Sequence, residues 1–168
     1  MKETKTILLV VFLSCIAFVA VMCMPKREQT KQEIIQEYQK HREAFEYVKE
    51  YFINNNIVQI RWDSGKITVQ NANTIVPFED MNDKLLIKYV HLLFDDLHYF
   101  RIFNSSSWKE NVMQLSFKKE TNKTYYYKEI VYCEDNEPPV STSSVFYNVG
   151  QVDNYWFYCE EDVDEDLF

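Results

Sequence analysis

Residues 57–70 read Ile-Val-Gln-Ile-Arg-Trp-Asp-Ser-Gly-Lys-Ile-Thr-Val-Gln, and the fold class follows from how this stretch must bend. Val58, Ile60 and Trp62 alternate with Gln59 and Arg61, which is the period of a strand with one apolar face. After Asp63-Ser64-Gly65-Lys66 the alternation resumes at Ile67 and Val69. A two-residue turn at Ser64-Gly65 sets Trp62 opposite Ile67, Ile60 opposite Val69 and Asp63 opposite Lys66, so both apolar faces coincide. Gly65 is accounted for by that turn. A one-faced hairpin needs a covering layer.

Helical patterns on either side supply the layer. From Thr30 to Phe52, the residues Ile34, Tyr38, Phe45, Val48 and Phe52 recur at helical spacing, with Glu37, Lys40, Glu43, Glu46 and Glu50 on the other side. Thr30-Lys31-Gln32-Glu33 matches the capping box, and Asn54-Asn55-Asn56 is a natural stop. A dimerising coiled coil is the alternative, but the pattern lasts only about three heptads and is interrupted at His41 and Arg42, so a helix packed on its own sheet is preferred. Downstream, Pro77 to Asp80 introduce a second helix over Met81 to His98. Its apolar face is Leu85, Leu86, Tyr89, Leu92, Leu93 and Leu97, and Glu79, Asp80 and Asp83 complement its dipole. Strands are expected at Phe100 to Phe103, Val112 to Lys118, Thr124 to Tyr132, Val145 to Asn148 and Val152 to Tyr158. The order predicts an α+β domain with a mainly antiparallel sheet of about five to seven strands packed with two amphipathic helices. An N-terminal hydrophobic helix precedes it. The expected organisation is an anchor segment over 1–29, one domain over 30–159 and an acidic tail over 160–168.

The anchor rests on Ile7 to Met24, eighteen consecutive uncharged residues. As a helix they reach roughly 27 Å, against a hydrocarbon core of about 30 Å. Lys2 and Lys5 precede the run; Pro25, Lys26 and Arg27 follow it. The alternative is a cleaved signal peptide and a secreted product. The small residues such a cut requires are poorly placed, since Phe18 lies three back from a cut after Ala20. The membrane, reached through Ile7 to Met24, is therefore the expected partner, single-pass with the domain outside the cytoplasm.

Composition removes several function classes. The chain has 168 residues, 46% hydrophobic and 16% aromatic, with a net charge of -8 and two glycines. Gly65 and Gly150 are too far apart to line a phosphate loop. No basic stripe offsets the acidity, so nucleic acid is not an expected partner. Six of the acids fall between Glu160 and Asp166, so the charge belongs mostly to the tail. No catalytic motif is present, no enzyme activity is expected, and no cofactor is implied. His91, Asp95 and His98 share a helical face with zinc-like spacing, but Lys84 and Lys88 beside them favour a solvated surface.

Two features remain as candidate sites. The aromatic runs Tyr125-Tyr126-Tyr127 and Tyr155-Trp156-Phe157-Tyr158 must place rings on both faces of a sheet, which makes Tyr126, Tyr155 and Trp156 a candidate binding surface for a protein or peptide partner. Wholly structural use is the alternative. Cys133 and Cys159 each end an aromatic strand and begin an acidic stretch, and pair as a disulfide if their strands bring them within about 7 Å.

With its apolar N-terminus, Ile/Val hairpin, LLIKYVHLLFDD helix, YYYKEIVYCED with following prolines and terminal NYWFYCEED, the chain resembles small membrane-anchored or exported proteins of Gram-positive bacteria. The resemblance implies an extracytoplasmic location and carries over no activity and no site residue. The expected function is a membrane-tethered extracytoplasmic binding domain, inhibitor- or immunity-like. An accessory subunit of a membrane complex and an unrecognised hydrolase or metal-dependent enzyme are the alternatives.

Overall fold

The computed structural model describes residues 27–104, 112–140 and 144–163. The apolar run Ile7 to Met24 and the tail acids Asp164 to Asp166 lie outside the described residues. Among the described residues no helix is long and apolar enough to cross a membrane.

The first amphipathic pattern forms two helices, α1 (Lys31–Lys40) and α2 (Arg42–Asn55). The break is at His41, with φ -113° and ψ 21°, where the buried series Ile34, Tyr38, Phe45 skips a turn and offers only polar side chains. Arg42 turns outward to pair with Asp153 at 2.8 Å, and α2 sets off across the sheet. Thr30 and Glu33 form the expected capping box. Asn56 ends α2 in the left-handed region at φ 51°.

The hairpin forms in the expected register. Strand β1 (Ile57–Asp63) pairs with β2 (Lys66–Asn71) with Trp62 opposite Ile67, Ile60 opposite Val69 and Asp63 opposite Lys66. Ser64 and Gly65 both take positive φ, 50° and 84°, as a two-residue turn of this hand requires. A short strand β3 (Ile75–Pro77) continues the sheet before α3 (Lys84–His91), which Asp83 caps by accepting from Leu85 and Leu86. A π-helical turn follows over Leu92–Asp96. Then come β4 (Tyr99–Asn104), β5 (Gln114–Glu120), β6 (Tyr126–Cys133), β7 (Ser144–Asp153) and β8 (Trp156–Val163).

Among the described residues the sheet has eight strands in the order β3-β2-β1-β4-β5-β6-β8-β7, every pairing antiparallel. This corrects the expectation of five to seven. The extra strand is β3, too short for its alternation to register in sequence. A second correction is the turn at Asn154-Tyr155, in the middle of the strand expected over Val152 to Tyr158: Asp153 pairs with Trp156, and Tyr155 adopts φ 65°. Glu160, Glu161 and Asp162, read from sequence as the start of the tail, belong to β8.

The helices cover one face of the sheet and enclose most of the core. At its centre Tyr38, Phe45, Tyr99, Phe117 and Trp156 pack ring against ring with centroids 4.9 to 6.1 Å apart. On the opposite face Val131, Cys133, Phe157 and Cys159 make a smaller buried cluster with Phe146 against it. Gly150 lies inside β7 at a bulge, where an added Cβ would stand 3.0 Å from Lys31 Nζ. Among the described residues the only atoms so near are at the end of the flexible Lys31 side chain, which reaches over this position to the Asn148 carbonyl.

Candidate functional site

Following each strand in the antiparallel ladder sorts the molecule into two ends, about 25 Å apart along an eight-residue strand. One end holds the turn at Ser64-Gly65, the β5 to β6 connection, the end of β8 and residues 27–30. The other holds the end of α2, the starts of β1 and β5, and the ends of β4 and β6.

At the second end is an open groove of about 640 Å³ lined by Phe52, Ile53, Ile57, Val58, Val112 and Met113, with Asn56, Asn104 and Glu134 as its polar groups. Half of its residues come from the stretch 52–58 and the rest from four other segments that the sheet topology brings beside it. The αL cap at Asn56 reverses the chain so that Ile53 and Val58 flank the same opening, and both are exposed. Glu134 closes one side, its Oε2 accepting from the Met113 N–H and its own N–H donating to the Met113 carbonyl, each at 3.0 Å. A mostly apolar concavity with few polar groups is the usual form of a ligand site. Nothing in the local sequence marks it.

The aromatic trio expected from sequence is not brought together. Trp156 is buried on the helix side, its indole Nε1 donating to Glu46 at 3.0 Å. Tyr126 donates to Glu160 Oε2 at 2.5 Å near the other end of the sheet. Burial acts to raise the Glu160 pKa, but hydrogen bonds from Tyr126, Tyr158 and Asn148 hold it below the usual range. Only Tyr155 is substantially exposed, with its ring 6.3 Å from that of Tyr132. The dense aromatic content serves mainly the core.

The disulfide is also corrected. Cys133 and Cys159 are buried and not bridged. Their strands are neighbours, but the register sets Cys159 opposite Glu129, four residues along β6 from Cys133. That separates the Cα atoms by about 13 Å, beyond the bridging limit of about 7 Å. Burial first, then the charges of Glu129 and Glu161, push the Cys159 thiol well up, so it is a poor nucleophile.

The same face carries a charge cluster that sequence reading missed. Lys118, Glu129 and Glu161 sit on adjacent strands and are all buried. Lys118 Nζ lies 3.2 Å from Glu129 Oε1 and hydrogen-bonds Glu161. Burial pushes Glu129 up to about 8 against the pull of Lys118, and Glu161 adds to the rise. Lys118, despite its own burial, is held above the ordinary lysine value by the two carboxyls. Neither the groove nor the smaller concavity near residues 27–29 reaches this cluster, and within it the lysine and the two carboxyls offset one another's burial. His91 pairs with Asp95 at 2.8 Å. Among the described residues no group of three His, Cys, Asp or Glu side chains is placed to hold a metal ion.

At the first end, a polar concavity of about 280 Å³ lies between residues 27–29 and the sheet. Lys119 Nζ donates to Gln29 Oε1 at 2.7 Å and to Glu37 Oε1 at 2.6 Å. Lys128 Nζ donates to the Gln29 carbonyl at 2.5 Å and pairs with Glu28 at 2.9 Å. Both lysines are buried. Burial lowers Lys119 from its ordinary value although Glu37 opposes the shift. The segment that enters the domain is thus fixed to the middle strands of the sheet. No family model, curated protein or solved structure matches the chain.

Proposed function

We propose that the chain is a membrane-tethered, extracytoplasmic binding domain that receives an apolar side chain of a protein or peptide partner in the groove between α2 and the starts of β1 and β5. The observation that carries this reading is the placement of groove and tether: the groove lies at the opposite end of the sheet from Arg27, where the chain leads back to the apolar run. A tethered domain with this arrangement turns its concavity away from the bilayer. Ile53 and Val58 on the rim supply exposed apolar area of the kind that marks interaction sites. The tether itself is the run Ile7 to Met24, read as an uncleaved helical anchor.

A photo-crosslinking side chain placed at Ile53 or Val58 is expected to trap a discrete partner in intact cells, whereas one placed at Thr68, on the sheet face away from the helices, is not. Equal trapping at all three positions removes the groove from the argument. Location is read with Asn73→Cys on the full chain with Cys15 and Cys23 replaced by alanine, because both native thiols of the domain are buried. An impermeant maleimide is expected to label it in intact cells. Labelling only after lysis puts the domain inside.

A further inference from the structure

Three chain steps separate Met24, the end of the apolar run, from Arg27, and three residues span at most about 10 Å. A longer or looser linker would let the domain swing. Here the chain beyond that gap is held at once: Glu28 and Gln29 by Lys128 and Lys119, and Thr30 by the first turn of α1. The end of the sheet that carries these lysines therefore lies within about 10 Å of the point where the apolar run stops.

That same end holds the tip of the β1–β2 hairpin, where Trp62 is 46% exposed although Ile67, its partner across the ladder, is buried. Tryptophan with one wet edge and one apolar face is the side chain enriched at membrane–water boundaries. The charges nearby are mixed. Arg27, Lys66 and Lys123 are offset by Asp63, Glu120 and Asp162, placed at this end by the strand pairings, by the concavity beside residues 27–29 and by the contact of Lys123 with Tyr126. No basic patch selects anionic headgroups.

We infer that the domain stands end-on against the bilayer, with Trp62 and the Ser64-Gly65 turn resting in the lipid interface and the groove held roughly 25 Å away. The inference rests on the tether proposed above and goes further by fixing which surface meets lipid. Contact comes from tether geometry and Trp62, so it is independent of lipid charge.

The test uses the full chain in phosphatidylcholine vesicles, with brominated phosphatidylcholine as quencher. Flotation with the vesicles is read first, and a chain that stays behind overturns the tether itself. For the chain that floats, brominated lipid is expected to quench tryptophan fluorescence, and Trp62→Phe to lose at least half of the quenched signal. Quenching is expected to be unchanged by added phosphatidylglycerol or by about 1 M salt, which shortens the Debye length to about 3 Å. Equal quenching with and without Trp62, or its loss in salt, overturns the end-on contact and leaves the tether standing. With Cys15 and Cys23 replaced by alanine, a polarity-sensitive dye at Ser64→Cys is expected to shift blue on vesicles, while the same dye at Asn73→Cys, at the groove end, stays in its aqueous state. The reverse pattern overturns the orientation.

Discussion

Glu129 makes the stability of the fold depend on pH. Its folded pKa of about 8 lies above the ordinary carboxyl value of 4.5, so the native state holds the proton more tightly than the unfolded chain. The stabilisation is complete below about pH 4.5 and is lost as pH rises through about 8. The groups facing it are Lys118, Glu161, Ser116 and Cys159, with Arg101 two strands away on β4. Urea midpoints of the wild type are expected to fall across that window, and those of Glu129→Gln to fall less. Identical slopes would show that Glu129 is ionised in the folded protein. The thiols give a second prediction: Cys133 and Cys159 are expected to react with maleimide only in denaturant, and a reductant to leave Tm unchanged. A reductant-sensitive Tm would mean that the two strands pair in another register.

The elements differ in how much local chemistry decides them. The β1–β2 hairpin is legible from its residues because alternation and Ser64-Gly65 specify the same register twice. The capping box at Thr30 is legible for the same reason, and Thr30→Ala is expected to cost about 1 kcal/mol in a denaturant melt. The turn at Asn154-Tyr155 is not legible. It lacks glycine, and its geometry is held from outside by Asn136 Oδ1, which accepts from the Tyr155 N–H at 2.7 Å and from Gln151 Nε2 at 3.0 Å. The break at His41 is marked in sequence by the polar pair His41-Arg42 within the apolar series, and the direction of α2 after it is joined to the sheet by Arg42 pairing with Asp153. The entry segment is held by few contacts, so a single change there is readable. Gln29→Ala removes the amide oxygen that Lys119 uses, and is expected to cost about 1–3 kcal/mol while leaving the Lys128 bond to the main chain in place.

At the scale of the molecule, the α+β class and the one-sided helical layer were readable from sequence, whereas the groove was not. The window 52–58 supplies two of its walls, the end of α2 and the start of β1, but the others come from the turn after β2, the end of β4, the approach to β5 and Glu134 after β6, which only the sheet topology brings to the same place. The aromatic runs drew attention because they are contiguous, yet Trp156 is in the core and Tyr126 is bonded to Glu160. Val58→Lys, at an exposed position, is expected to leave stability within about 0.5 kcal/mol of wild type and to weaken partner capture at least tenfold. Unchanged capture would move the binding surface elsewhere.

The place of β8 between β6 and β7 has a consequence for how the chain is made. Trp156 at the start of β8 completes the ring cluster, and β7 has no other neighbour in the sheet. A nascent chain that has emerged only as far as β7 therefore holds an unsealed core and a strand with nothing to pair with. Native packing waits for β8, which gives β7 its partner and brings Trp156 to the ring cluster. Chains arrested before β8 are expected to be cut rapidly by protease, and chains released after it to resist.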